Sequence, residues 1–177
     1  MSGPGEKELD ALMARLVDGD RTAFDPLFSA LHPRALALAR LRLDANDADD
    51  AAAQTLMRLF ARAAEFTPGR PLLPWFYAIA ANEVHTLARR HSRAQSRTAD
   101  VALADGIAAP VTPETALLES ELRACLRSAV GELDAPSAEA IRALLDGTER
   151  PVLGDAAFRK RVSRAYARLR VILGGRS

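Results

Sequence analysis

Apolar side chains recur along nearly the whole chain at three- and four-residue intervals, and β-branched runs are missing. That periodicity predicts amphipathic helices and an all-α fold. Leu9, Leu12, Met13 and Leu16 mark a first helix over about 6–17, ended by Gly19-Asp20. A second begins near Thr22 and carries Phe24, Leu27, Phe28 and Leu31. His32-Pro33 permits a break or kink, after which the helix resumes from Leu36 to Leu43. Asp44 to Asp47 read as a polar turn. Asp47 or a neighbour caps the next helix, and Asp49 and Asp50 fall in its first turn, where the helix dipole favours anions. That helix carries Leu56, Met57, Leu59, Phe60 and Ala64. Phe66 to Pro74, with three prolines and one glycine, is a predicted loop, and Trp75 opens a long helix to about Arg93.

The pattern then fades. Ala94 to Thr115 is rich in small and polar residues, holds Gly106, Pro110 and Pro113, and reads as a linker between domains. Helical spacing returns over about 114–131, 136–145 and 155–173, with Asp146-Gly147 as a stop and an irregular stretch from Thr148 to Asp155. The expected architecture is two small helical domains joined by a flexible linker: a bundle over 6–93, a linker over 94–113, and a helix-turn-helix-like domain over 114–173.

Charge sharpens this division. The net charge is only +1, but its distribution alternates. Lys/Arg against Asp/Glu number 8 to 11 over 1–67, 5 to 1 over 68–98, 3 to 10 over 99–149, and 8 to 1 over 150–177. Basic blocks of this kind suit a polyanion, because phosphate contacts carry most non-specific affinity; solvated helix faces would give the same count. The single cysteine, Cys125, excludes an internal disulfide and a cysteine-rich zinc site. No stretch approaches the ~18 uninterrupted apolar residues of a membrane helix and no signal-peptide core is present, so a cytoplasmic protein without membrane insertion is expected. His32, His85 and His91 lack metal-ligand spacing, and no glycine-rich phosphate loop occurs. Neither an enzyme nor a cofactor is expected.

Two helices concentrate candidate chemistry. Over 75–93 an apolar stripe of Trp75, Ile79, Val84 and Leu87 opposes Asn82, His85, Thr86, Arg89 and Arg90, with Arg70 just before and His91, Arg93 and Arg97 just after. Aromatic, amide, hydroxyl and basic groups together suit single-stranded nucleic acid, where bases stack and arginines hold phosphates. A core Trp-Tyr pair with a dipole-compensating basic end explains the same residues. Over 155–170, Arg159, Lys160, Arg161, Arg164, Arg168 and Arg170 oppose Phe158, Val162, Tyr166 in part, Leu169 and Ile172. A short helix, a turn and a basic helix are the parts of a helix-turn-helix reader. An exposed basic helix at a chain end is the plainer alternative.

Taken in order, these segments resemble bacterial RNA polymerase sigma factors of the extracytoplasmic-function type. The matching stretches are GDRTAFDPLF (19–28), DADDAAAQTLMRLF (47–60), FTPGRPLLPWFYAIAANEVHTLARR (66–90) and FRKRVSRAYARLR (158–170). The resemblance implies a region-2-like domain over 6–93 that binds core polymerase and the minus-ten element, and a region-4-like helix-turn-helix domain over 114–173. It implies that Asp47, Asp49, Asp50, Gln54 and Arg58 face the coiled coil of the polymerase β′ clamp. It assigns Arg70, Trp75, Asn82, Thr86, Arg89 and Arg90 to the melted strand, whose flipped base needs a snug pocket. It assigns Arg159, Lys160, Arg161 and Arg164 to the minus-thirty-five element. Implied partners are core polymerase through its β′ clamp and β flap, promoter DNA, and an anti-sigma protein.

The chain departs from the family pattern at three places. Ala53-Gln54 stands for a usual Gln-Glu pair, and Ala78 and Ala81 for usual arginines. Between Gly147 and Phe158 the family carries a full helix, which does not fit in TERPVLG with Pro151 inside it. That shortening leaves an alternative reading, a sigma-like regulator or adaptor that binds polymerase or another protein without promoter-specific initiation.

Overall fold

The computed structural model describes residues 4–95, 113–146 and 154–173. Every α-helix in them follows from the predicted periodicity, with shifts at the ends. The seven helices are α1 (Glu6–Val17), α2 (Phe24–Arg40), α3 (Ala45–Ala61), α4 (Leu72–Gln95), α5 (Pro113–Gly131), α6 (Ala135–Asp146) and α7 (Asp155–Ile172). Most of the predicted linker and the 147–153 stretch lie outside the described residues. By internal packing the chain divides into one unit of Met1–Glu121 and another of Leu122–Ser177, the division falling within α5.

In the first unit α2, α3 and α4 pack against one another, and α1 lies along α2 and α4. Leu9 and Met13 of α1, Leu27 and Leu31 of α2, Leu56 and Leu59 of α3, and Leu72 and Phe76 of α4 are fully buried. Where small residues meet, Ala39, Ala48, Ala51 and Val84 form a second cluster that lets α2, α3 and α4 approach closely.

Local chemistry sets the helix ends. Gly19, at φ +92°, closes α1: its own amide bonds to the Leu16 carbonyl and the Asp20 amide to the Arg15 carbonyl, the paired bonds of a Schellman ending. Asp20 then caps a short 3-10 turn at Arg21–Ala23, accepting from the Thr22 amide and hydroxyl and from Arg15. The Asp44 carboxylate caps α3 by accepting from the Asp47 amide at 3.0 Å, so the neighbour of Asp47 is the cap.

Two expectations are corrected. The helix does not break at His32-Pro33; α2 runs through Pro33, and its buried stripe of Leu27, Ala30, Leu31, Ala35 and Ala39 outweighs one lost backbone bond. And α4 opens at Leu72 rather than Trp75, because a residue distant in sequence holds its first turn. The Leu72 amide donates to Asp10 Oδ1 of α1 at 2.7 Å, and Pro74 occupies the first turn, where a missing amide does no harm.

The start of α5 joins this unit through a buried polar cluster. The Arg34 guanidinium donates to both carboxylate oxygens of Glu121 at 2.9–3.2 Å, and Tyr77 Oη donates to Oε2 at 2.5 Å. Burial opposes the Arg34 charge, but the bonds and charge of Glu121 overcome it and raise the Arg34 pKa.

The second unit is the end of α5 with α6 and α7. Its core is Ala129, Val130, Leu133, Ala138, Ile141, Ala165 and Leu169. Asp134 caps α6 through the Ser137 amide at 3.2 Å, and a hydrogen bond with the Ser137 side chain, more than that amide bond, holds its carboxyl below the usual range. Cys125 is buried and takes part in no disulfide.

Candidate polymerase and DNA interfaces

On α3, Asp47, Asp50, Gln54 and Arg58 fall at helical intervals along one face, with Asp49 at its edge. Asp49, Asp50 and Gln54 are exposed and Asp47 is half-buried beside the capping Asp44. Arg58 reaches across to α4 and pairs with the buried Glu83 at 2.9 Å while staying 59% exposed itself. Met57, expected among the apolar stripe of this helix, lies instead on the polar side at 64% exposure. Further along, Phe60 meets Phe24, which stacks on Phe28 and so leads to His32. Phe24 and Phe28 are exposed, so an aromatic row flanks the acidic face. Periodicity alone did not reveal it, since these residues sit at the margin of the α2 stripe.

The connection from α3 to α4 is better ordered than a proline-rich loop suggests. Arg62 closes α3 and holds Glu65 at 2.7 Å. Thr67-Pro68-Gly69-Arg70 then form a tight turn, the Arg70 amide bonding the Thr67 carbonyl at 3.1 Å. Pro68 supplies the fixed φ of the second position, and Gly69, at φ +89°, the left-handed third that few other residues adopt. Both ends of the segment are anchored, by buried Phe66 and by the Asp10–Leu72 bond. The turn therefore holds Arg70 out at the surface.

Trp75 packs against Phe66, the residue that leads into this turn. Its ring is 8% exposed, packed 5.6 Å from Phe66 and covered by the Arg62 guanidinium at 5.9 Å. Asn82, Thr86, Arg89 and Arg90 continue along α4 and are all exposed, the Thr86 hydroxyl donating to the Asn82 carbonyl at 2.7 Å. Arg70 and this strip thus belong to one unit. The side chains of His91 and Arg93, and all of Arg97, lie outside the described residues.

On α7 the buried stripe is Phe158, Ala165 and Leu169, with Val162 half-buried. Tyr166 points outward at 54% exposure. Arg159, Lys160 and Arg164 are exposed and Arg161 is partly so. Lys160, Arg161, Arg164 and Arg168 line an open groove of about 680 Å³ whose other wall includes Glu132, Asp134 and Ser137; Arg159 stands outside it. Among the described residues no group of His, Cys, Asp or Glu is arranged to hold a metal ion, and no helix is long and apolar enough to cross a membrane.

The helices that build the acidic face, the turn and the exposed α4 strip lie within residues 27–94, and these residues match the family Sigma-70 region 2. Two solved structures align with most of the chain at low similarity. One is CnrH in complex with the cytosolic domain of CnrY, at TM-score 0.42 and 24% identity, covering 93% of this chain and 96% of that one. The other is the sigma factor RpoE in complex with the anti-sigma factor NepR from Bartonella quintana, at TM-score 0.37 and 22% identity, covering 90% and 97%. No curated protein sequence matches.

Proposed function

We propose that the chain is a sigma factor that docks on core RNA polymerase through α3 and captures the melted non-template strand with the 67–70 turn and α4. The observation that carries this reading is the coincidence of the region 2 match with three solvent-facing features in one unit: the α3 acidic face, Arg70 on its turn, and the α4 strip. Asp49, Asp50 and Gln54 present charge and amide to a basic helical partner such as the β′ clamp. Met57 supplies an apolar contact on the same side. Arg58 takes part together with its partner Glu83, which sets the guanidinium in place.

On the DNA side, Arg70 grips a phosphate next to an extruded base, and Asn82, Thr86, Arg89 and Arg90 carry the strand onward. Trp75 is buried, so its part is to support the turn through Phe66. The second unit, through Arg159, Lys160, Arg161 and Arg164, contacts promoter DNA upstream. Contact with the β flap, regulation by an anti-sigma protein and action in the cytoplasm belong to the same reading.

The test has two arms. Asp50→Ala/Gln54→Ala lowers affinity for core polymerase in a fluorescence titration, and Arg70→Ala leaves that affinity unchanged. With polymerase bound, Arg70→Ala weakens capture of a labelled single-stranded minus-ten oligonucleotide roughly tenfold or more, the loss expected for one charged hydrogen bond. Core binding without capture by the intact chain is the outcome that favours a regulator or adaptor instead.

A further inference from the structure

The first turn of α4 has no capping side chain of its own. Gly69, Arg70 and Pro71 precede Leu72, and none of them carries a side-chain oxygen that could accept its amide. That amide donates instead to Asp10 Oδ1 at 2.7 Å, across 62 residues of sequence. Leu72 is fully buried, so without this acceptor its amide reaches water only if the segment moves. We propose that Asp10 is a positioning residue for strand capture: from α1 it fixes the place and direction in which Arg70 leaves its turn.

The backbone between the capped amide and Arg70 is stiff. Pro71 stands between Arg70 and Leu72, and its ring locks φ near about −65°. A residue before proline is itself pushed towards extended backbone, so Arg70 loses the helical alternative. On the other side, the Arg70 amide is tied to the Thr67 carbonyl at 3.1 Å across Gly69 at φ +89°. With few soft torsions left from Thr67 to Leu72, a shift at the Leu72 amide is passed to Arg70 rather than absorbed. Asp10 is held in turn by its own helix, whose Leu9 and Met13 are buried in the core of the first unit. What the amide requires is an oxygen at this place, and a neutral acceptor supplies it as well as a charged one. This inference rests on the proposed capture of the strand by Arg70, and adds to it a residue of α1, a helix that touches no DNA in that reading.

Oligonucleotide capture with polymerase bound tests it, in a cycle of Asp10→Ala, Arg70→Ala and the double variant. Asp10→Ala weakens capture about three- to tenfold, a part of the loss expected for the Arg70 contact, and leaves affinity for core polymerase unchanged. In the double variant Asp10→Ala adds nothing to the loss from Arg70→Ala, because no guanidinium is left to misplace. Asp10→Asn keeps the acceptor and captures like the intact chain. In the free chain the Leu72 amide exchanges slowly, and at least about tenfold faster in Asp10→Ala. A general loosening of the fold would instead lower polymerase affinity in step and add to the effect of Arg70→Ala. Should Asp10→Ala fail to fold, Asp10→Glu, whose oxygens lie one methylene further out, takes its place with the same expected loss. Additive losses, a parallel fall in polymerase affinity, no rescue by Asp10→Asn, or capture by Asp10→Ala equal to that of the intact chain would each overturn the inference. If the intact chain captures no strand, the reading of the first unit falls and this inference with it. Capture by the intact chain that is indifferent to Asp10 counts against the inference alone.

Discussion

The two units hold their helices by different means. In the first, large side chains from four helices meet: Leu9, Met13, Leu27, Leu31, Leu56, Leu59, Leu72 and Phe76 are fully buried, and bonds such as Asp10 to the Leu72 amide tie distant segments together. Among the described residues of the second, the packed cluster sets Ala129, Ala138 and Ala165 beside Val130, Leu133, Ile141 and Leu169, with Phe158 also buried on α7. A core of large interlocking side chains fixes the positions of the segments it anchors, whereas a small core leaves less apolar area to resist perturbation. The strand capture proposed above needs a turn held to fractions of an ångström, and that turn belongs to the first unit.

That contrast can be broken or sharpened by substitution. Phe76→Ala should destabilise the first unit by about 3–5 kcal/mol, read by denaturant unfolding; a loss under about 1 kcal/mol would mean that the core is not organised around this ring. Glu121→Ala should cost the same unit about 2 kcal/mol, because Arg34 then keeps a half-buried charge without its forked partner. Glu121→Gln should recover part of the loss through the Tyr77 bond. Asp44→Ala should cost about 1 kcal/mol by uncapping α3, and the acidic face should fray in amide exchange before the rest of the helix does.

The smallest effect is a titration. Hydrogen bonds from Thr22 and Arg15 lower the Asp20 pKa from 3.8 to about 2. A depressed carboxylate pKa adds stability that is present above 3.8 and is lost as pH falls through about 2. An NMR titration of Asp20 should show the low value, and Thr22→Ala should move it back up.

Much of this was legible in the chain. The helical stripes of α1, α3, α6 and α7 are written in local spacing, and so are the stop at Gly19 and the turn chemistry of Pro68-Gly69. What escaped depends on partners distant in sequence. Nothing near Leu72 announces that Asp10 will cap it, so the start of α4 was placed at Trp75. Pro33 signals a break by local rules, but the buried stripe on either side carries α2 through. Met57 follows the helical pattern as an apolar residue, yet α3 turns it outward because Leu56 and Leu59 already fill the core side. For the candidate site, the residue types and their order were readable, while the pairing of Arg58 with Glu83, the burial of Trp75 and the cleft formed by α7 with α6 required the packed helices.

Run-off transcription with core RNA polymerase, comparing the intact chain with Arg70→Ala over a library of promoter fragments, tests the central claim most directly. The account predicts initiation at a defined set of fragments by the intact chain, and loss of it in the variant while core binding is retained. Core binding with no specific initiation, or initiation indifferent to Arg70, would contradict it.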